Sequence, residues 1–179
     1  MGNDLKEPQY LKQQFKYCKN ICWDEVIDAI SKGYSTQSLT FLMSHQLDEI
    51  PFQDGGFAYG FCDGNLSSSQ KVSPPTFGLH LTDDFSSNLK RISLKVHRRW
   101  NTGIGAMHIF TSLGGSATTY KKHNDPMDVL LVQAIGKMKY YVDKIGPIDF
   151  NPGDGLLLPA GTNHTPYVME PRVTLSFAW

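Results

Sequence analysis

The sequence predicts one mainly β domain preceded by helices, and three observations support this fold class. After residue 105 the chain consists of short apolar runs separated by Gly and Pro, whereas residues 10–32 repeat apolar side chains at helical spacing. A length of 179 residues suits one well-buried domain better than two large ones. We therefore expect a single domain over residues 1–179, with residues 1–100 as a helical and loop elaboration and residues 101–179 as the core barrel.

The N-terminal segment predicts one or two helices. Gly33 supplies a stop after the last apolar repeat, because glycine is a common helix terminator. Spacings of three and four recur within two sets of apolar residues: first Leu11, Phe15 and Cys18, then Trp23, Val26, Ile27 and Ile30.

Residues 52–75 predict a long loop, with room for short strands. Gly, Ser, Asn and Pro dominate there, and the aromatic residues Phe57, Tyr59 and Phe61 stand at alternate positions. Such aromatics can line the mouth of a barrel or form one buried strand face.

The segment after this loop predicts a helix. Thr82 opens it with N-cap chemistry, and Leu89, Ile92 and Val96 then repeat at helical spacing, although residues 92–96 also alternate like a strand.

From residue 105 onward the pattern predicts short antiparallel strands. Runs of five to eight residues at close spacing, divided by Gly and Pro turns, are typical of a barrel or sandwich. The predicted strands are residues 106–112, 128–135, 138–143, 155–159 and 172–179.

Composition gives no sign of a membrane or nucleic-acid partner. Basic and acidic residues balance at 17 each, and no apolar run approaches the roughly 20 residues needed to cross a bilayer. The N-terminus has neither a signal-peptide apolar core nor a myristoylation signal. The three cysteines, Cys18, Cys22 and Cys62, form no C-x-x-C pair. These features predict a cytoplasmic protein and leave its oligomeric state unknown.

The residues with the clearest chemical pattern are His123, Asp125 and His164. On a strand, residues two apart face the same side, so His123 and Asp125 can both point into a barrel. His164 follows after two or three strand lengths, which permits a strand to return beside the first pair. Two imidazoles and one carboxylate are the ligand set that binds iron(II) and leaves positions open. The alternative for His164 is a loop histidine held by Asn163 or Thr165.

The motifs around these residues resemble the cupin and double-stranded β-helix oxygenases. Gly153, Pro159, Gly161 and His164 have the spacing of the second cupin motif, and His123-x-Asp125 stands where the first motif begins. No glutamate matches the fourth cupin ligand, which points to the oxygenases with three protein ligands. Residues 123–142, with Q-x-x-G at residues 133–136, look like the JmjC-type, ribosomal-oxygenase branch. The resemblance covers about residues 105–179 and implies a jelly-roll, cupin-like barrel.

The resemblance further implies Fe(II), 2-oxoglutarate and O2, with succinate and CO2 as co-products of a hydroxylation. The substrate is then a protein side chain or a small molecule, and no catalytic residue is expected beyond the metal ligands. Two other readings remain open: a cupin metalloenzyme that does not use 2-oxoglutarate, such as an isomerase or another dioxygenase, and a non-catalytic cupin-like binding module.

The cation that binds 2-oxoglutarate departs from the JmjC pattern. The basic position after the Q-x-x-G glycine is occupied by Met138, and alternation turns Lys137 and Lys139 outward. Arg172 on the last predicted strand is the expected anchor, assisted by Thr174 or Ser176 on the same face. The alternatives are that a lysine anchors the cosubstrate or that Arg172 is an ordinary surface charge.

Three further side chains complete the predicted site or its surroundings. Tyr120 lies where relatives carry a hydroxyl that binds the cosubstrate, and Thr118 and Thr119 compete with it for that position. Gln133 either faces the barrel interior or bridges a turn. Asp154 is expected to stabilise its own Gly-rich turn.

Overall fold

A computed structural model describes residues 6–36, 39–43, 46–51, 76–80, 82, 84–102, 107–117 and 119–179. The loop predicted at residues 52–75, with its aromatic residues and Cys62, lies outside the described residues, as does Thr118. Within the described part, no helix is long and apolar enough to cross a membrane.

The described residues form eleven strands, two α-helices and one 3₁₀ helix. The helices are α1 (Trp23–Ser35), α2 (Ser87–Trp100) and the 3₁₀ helix Lys16–Asn20. The strands are β1 (Gln9–Leu11), β2 (Leu39–Met43), β3 (Gln46–Pro51), β4 (Thr76–Leu79), β5 (Met107–Ser112), β6 (Val129–Ile135), β7 (Met138–Val142), β8 (Gly146–Phe150), β9 (Gly155–Leu158), β10 (His164–Val168) and β11 (Arg172–Ala178).

The strands form two sheets, all of whose pairings are antiparallel. The larger sheet has the order β1-β9-β6-β11-β5-β4-β2-β3, and the smaller has the order β10-β7-β8. The backbone of His123 exchanges two hydrogen bonds with that of His164, so the segment containing His123 runs along the free edge of β10. The mainly β class with N-terminal helices, and the double-stranded β-helix, are confirmed.

The two faces of the larger sheet bury different clusters. Alternate residues of β6, such as Leu131, join side chains of β7 and β8 in a cluster between the two sheets. The intervening residues, such as Leu130, join Leu175 of β11 and residues of both helices in a second cluster on the outer face. This alternation follows from the two-residue period of a strand, and it places the helices outside the barrel.

The helix predicted after residue 82 is confirmed as α2, with its start four residues later than expected. Its N-cap is Ser86, whose side chain accepts a hydrogen bond from the backbone N–H of Leu89. Thr82 instead donates its hydroxyl to the carbonyl of Met107. The strand reading of residues 92–96 was wrong, because Leu89, Ile92 and Val96 all turn one helical face into the outer cluster.

The N-terminal segment contains less helix than the spacing predicts. Residues 9–11 are strand β1, paired with β9, and the α-helix begins only at Trp23. Gly33 is not a stop, because α1 continues through it to Ser35. It is buried, and a Cβ at this position would lie 2.3 Å from Cδ2 of Leu79, so its function is close packing of helix on sheet.

The turn after β6 depends on a glycine and on Gln133. Gly136 has φ of +70°, and a Cβ there would lie 2.0 Å from the carbonyl oxygen of Pro171. Nε2 of Gln133 donates to the carbonyls of Ile135 and Gly136. Of the two readings of Gln133, turn bridging is therefore confirmed.

Asp154 stabilises its own turn, as expected, and also holds the N-terminal segment. Its carboxylate accepts hydrogen bonds from the backbone N–H of Asn151, the hydroxyl of Tyr10 and both the backbone and side-chain nitrogens of Gln13. The hydrogen bonds from Tyr10 and Gln13 join residues more than 140 positions apart, and the sequence pattern did not predict them.

Candidate functional site

His123, Asp125 and His164 converge at one end of the smaller sheet. One ligand atom from each residue lies within 4.8 Å of the other two, and Nε2 of His164 is 3.7 Å from Oδ2 of Asp125. The His123 segment forms only an isolated bridge with β10 rather than the regular strand predicted. The backbone N–H of Gly161 donates to the carbonyl of Asp125, which keeps this segment beside the loop before β10.

A backbone carbonyl holds the ring of each histidine. Nδ1 of His123 lies 2.7 Å from the carbonyl oxygen of Lys121, and Nδ1 of His164 lies 3.1 Å from that of Thr162. A carbonyl only accepts hydrogen bonds, so each Nδ1 carries a proton, and in the neutral ring it is Nε2 that has the lone pair a metal ion binds. This is the arrangement in which a backbone carbonyl orients a metal-binding imidazole. The ring of His164 therefore bonds to Thr162 and not to Asn163 or Thr165, the partners considered as alternatives.

Burial favours the neutral form of His164. The side chain lies in β10 and is almost fully buried. Loss of hydration lowers its pKa below the ordinary value, and the neighbouring His123 acts in the same direction, against the carbonyl of Thr162 and the carboxylate of Asp125. The neutral imidazole is the form that ligates a metal. The donor set of two nitrogens and one carboxylate therefore fits a divalent first-row metal ion.

These three residues open into a cavity of about 540 Å³ that extends between the two sheets. A volume of this size is typical of a small-molecule or cofactor site. Its lining side chains come from both sheets and from the segment before β6: His80, His108, Phe110, Thr119, Tyr120, His123, Asp125, Pro126, Met127, Val129, Leu131, Tyr140, His164, Pro166, Arg172, Ser176 and Ala178.

Arg172 lies in the wall of the same cavity and is only 3 % exposed. Its Nε donates to the hydroxyl of Ser112 at 3.0 Å, and its Nη1 donates to the carbonyl of Phe110 at 3.0 Å. Burial lowers the pKa of Arg172 to about 10, so the guanidinium still carries its charge at neutral pH. The reading of Arg172 as an ordinary surface charge was wrong.

Two buried hydroxyls, those of Ser112 and Thr76, support the guanidinium of Arg172. Ser112 is the cross-strand partner of Arg172 on one side and of Thr76 on the other. The hydroxyls of Thr76 and Ser112 are 2.8 Å apart, and both side chains are fully buried. Strand β4 therefore contacts Arg172 indirectly, through the hydroxyl of Ser112 on β5.

Thr174 and Ser176 share a face with Arg172 but differ in their surroundings. Ser176 lines the cavity. Thr174 is buried beside it, and its hydroxyl donates to Oε1 of Gln133 at 2.7 Å. This bond supports the turn of Gln133, so Ser176 is the better placed of the two to assist Arg172.

Tyr120 lines the cavity, with its ring centroid 5.0 Å from that of His123. Thr119 lines the cavity too, and its hydroxyl donates to the carbonyl of Pro166.

The lysines considered as alternative anchors lie outside the cavity. Lys137 and Lys139 are exposed, and Nζ of Lys139 is 3.8 Å from a carboxylate oxygen of Asp149 on the neighbouring strand. Met138 between them is buried between the sheets. The expectation that alternation turns both lysines outward is confirmed.

Sequence reasoning missed two polar residues in the cavity wall, Tyr140 and His80. Burial raises the pKa of Tyr140 to about 12, against the effect of Arg172, so its phenol keeps its proton. Its inward direction was readable, since it stands two residues after the inward Met138. His80 and His108 lie with their Nδ1 atoms 3.3 Å apart. The pairing of β4 with β5 brings them together, so no local sequence pattern predicts their contact.

No family model and no curated protein matches this sequence. Solved structures do match. A structure of YcfD, a ribosomal oxygenase from Escherichia coli, has a TM-score of 0.68 at 19% identity and covers 97% of this chain and 47% of that chain. The complex of YcfD with cobalt and 2-oxoglutarate has a TM-score of 0.65 at 19% identity, covering 97% and 48%. This chain thus spans about half the length of those proteins. At this identity the likeness shows the fold alone, and the fold is the double-stranded β-helix.

Proposed function

We propose that this protein is an Fe(II)- and 2-oxoglutarate-dependent oxygenase that hydroxylates its substrate and releases succinate and CO2. The observation that carries the proposal is that one cavity contains both a two-histidine, one-carboxylate group and a buried arginine. Each feature alone has other uses. Together they provide a place for a metal and a place for a dicarboxylic acid.

His123, Asp125 and His164 would hold the iron. When bound there, Fe(II) supplies the oxygen activation that no amino-acid side chain provides. The contribution of this chain is to orient the two imidazoles through the carbonyls of Lys121 and Thr162. Three protein ligands of this kind would leave positions on the metal open for the cosubstrate and for oxygen.

Arg172 would bind the far carboxylate of 2-oxoglutarate. It is the one permanent cation among the described residues that line the cavity. Its low exposure strengthens a charge pair with the carboxylate, and its planar group suits bidentate bonding. The protonated phenol of Tyr140 and the hydroxyl of Ser176 line the same wall and supply neutral donors. Tyr120, beside His123, is a further candidate contact for the cosubstrate.

A protein side chain is the substrate class that the structural likeness favours, since the matching YcfD structures are described as a ribosomal oxygenase. The cavity wall near β5 carries Phe110, His108 and His80, which give this region both apolar and hydrogen-bonding surface. A small molecule is the second candidate, because the cavity of about 540 Å³ is large enough for a cosubstrate and a further small ligand.

Metal-dependent binding of 2-oxoglutarate tests the proposal. Calorimetric titration of 2-oxoglutarate into Co(II)-loaded protein should show binding, and His123→Ala and Asp125→Ala should abolish it. Asn124→Ala is the matched control, because Asn124 lies between them, is exposed and bonds only to Asn163 in the described structure. Equal binding to metal-free protein, or no binding by the loaded wild type, would contradict the proposal.

A further inference from the structure

Seven exposed cations lie on two parts of the chain that are in contact with each other. We call this set the basic face. It consists of three lysines in and before the 3₁₀ helix and four cations on α2: Lys12, Lys16, Lys19, Arg91, Lys95, Arg98 and Arg99. The balanced total charge of the protein conceals this uneven distribution.

Four of the five lysines and arginines of α2 lie on one side of the helix, and the fifth, Lys90, forms an ion pair with Asp84 outside the basic face. At 3.6 residues per turn, Arg91, Lys95, Arg98 and Arg99 fall within a sector of about 100°. The buried residues Leu89, Ile92 and Val96 occupy a different sector and pack into the outer cluster.

Contacts of α2 with the N-terminal segment make the face continuous. A guanidinium nitrogen of Arg99 donates to the side-chain oxygen of Gln14, and its Cζ lies 5.8 Å from the ring centroid of Phe15. Nζ of Lys95 lies 4.8 Å from the ring centroid of Tyr17. Lys16 stands between these aromatic residues in sequence.

Among the described residues, no carboxylate forms an ion pair with any of the seven cations of this face. Their hydrogen-bond partners are neutral: Lys19 donates to Gln13, and Arg91 donates to Asn88. The sequence has no Asp or Glu between Glu7 and Asp24, and none between Asp84 and Asp125.

We propose that the basic face binds the phosphate backbone of a nucleic acid. Like charges repel when they are gathered without counter-charges, and a row of phosphates removes that repulsion with release of counterions. Three of the four α2 cations in the basic face are arginines, whose planar fork matches phosphate oxygens. Along α2, cations four residues apart stand about 6 Å from one another, which suits successive contacts with one strand.

A membrane surface fits these observations less well. Peripheral helices that bind lipid insert an apolar face, and the apolar face of α2 is already buried in the outer cluster. The basic face lies outside the larger sheet, whereas the cavity lies between the sheets. Nucleic acid bound there would leave the cavity open, and this inference does not depend on the proposed oxygenase activity.

Fluorescence anisotropy with a labelled single-stranded RNA of about 20 nucleotides at low salt tests the inference. The variant is Arg91→Glu with Arg98→Glu, since neither arginine contacts an aromatic ring in the described structure. Lys137→Glu with Lys139→Glu is the matched control, because it makes the same charge change away from α2. We expect the first variant to weaken binding at least about tenfold and to make the salt dependence shallower, whereas the control changes the affinity less than about twofold.

Three results would overturn the inference. Wild-type protein that fails to bind the RNA excludes it, and so does equal weakening by the two variants. Polyaspartate of matched charge, or vesicles with anionic lipid, binding as tightly as the RNA would assign the face to a different partner. Equal melting temperatures of the variants and the wild type show that each has folded, so the comparison reports on the surface alone.

Discussion

The hydroxyl of Ser112 accepts a hydrogen bond from Nε of Arg172 at 3.0 Å, from the strand directly beside it. Thr76 approaches the other side of the same hydroxyl at 2.8 Å. The cation that we propose as the cosubstrate anchor is therefore fixed by two strands that carry none of the three candidate metal ligands.

Loss of the Ser112 hydroxyl should weaken cosubstrate binding. A hydrogen bond to a charged group contributes about 1.5–3 kcal/mol, and Ser112→Ala removes one that orients Arg172. We expect the 2-oxoglutarate concentration for half-saturation to rise about tenfold, with kcat changed less than about twofold. Ser112→Thr, which keeps the hydroxyl, should restore most of the affinity. An unchanged half-saturation value for Ser112→Ala would show that the bond does not position Arg172.

Removal of the cation itself should have a larger effect than removal of either lysine. Arg172→Ala deletes a buried charge from the cavity wall, and we expect the affinity for 2-oxoglutarate to fall about a hundredfold, or about 2.8 kcal/mol. Lys139→Ala should leave it unchanged, because Lys139 is exposed beside Asp149. Calorimetric titration of both variants makes the comparison, and a larger effect at Lys139 would transfer the anchor to that residue.

Gly136 and Gly146 offer a matched pair for backbone strain. Both have positive φ, +70° and +90°, so alanine costs about 1–2 kcal/mol at either position. Only at Gly136 does a Cβ meet backbone, 2.0 Å from the carbonyl oxygen of Pro171. We expect Gly136→Ala to lower the free energy of unfolding by at least about 3 kcal/mol, measured by urea denaturation. A cost equal to that of Gly146→Ala would show that Pro171 moves away freely.

Asp154 should make stability depend on pH in the acid range. Burial alone raises the pKa of this carboxyl, but hydrogen bonds from Asn151, Tyr10 and Gln13 outweigh it and hold the pKa below its ordinary value. A depressed folded pKa stabilises the protein above the unfolded value of about 3.9, and this contribution is lost as the pH falls through the folded pKa.

Asp154→Asn removes that titration and weakens the hydrogen bonds. We expect it to lower the melting temperature at pH 7, with a smaller difference from the wild type near pH 3. Asp149→Asn is the control, since Asp149 is largely exposed. A constant difference between Asp154→Asn and the wild type across this range would contradict the assignment.

The parts of the fold that the sequence predicts are those with local patterns. Five strands after residue 105 were readable from alternation between Gly and Pro turns, and α2 from its apolar repeat. Strand β1 was not readable, because Leu11 and Phe15 are four apart and buried in the same cluster, as in a helix, although they reach it from a strand and a turn. Only the pairing of β1 with β9 distinguishes a strand from a helix at residues 9–11.

The candidate site shows the same division between local and long-range information. The spacing of His123, Asp125 and His164 was sufficient to predict that they converge. Thr174 or Ser176 was expected to assist Arg172, but the cross-strand neighbour of Thr174 is Gln133, which accepts the hydrogen bond of its hydroxyl. Ser112 and Thr76 were not predicted either, since their position behind Arg172 depends on the register of three strands.

Anaerobic absorption spectroscopy of the protein with Fe(II) and 2-oxoglutarate tests the central claim most directly. Chelation of iron by 2-oxoglutarate produces a metal-to-ligand charge-transfer band. The account predicts this band for the wild type and its loss in Asp125→Ala. Absence of the band in wild-type protein that binds Fe(II) would contradict the assignment of this cavity to a 2-oxoglutarate oxygenase.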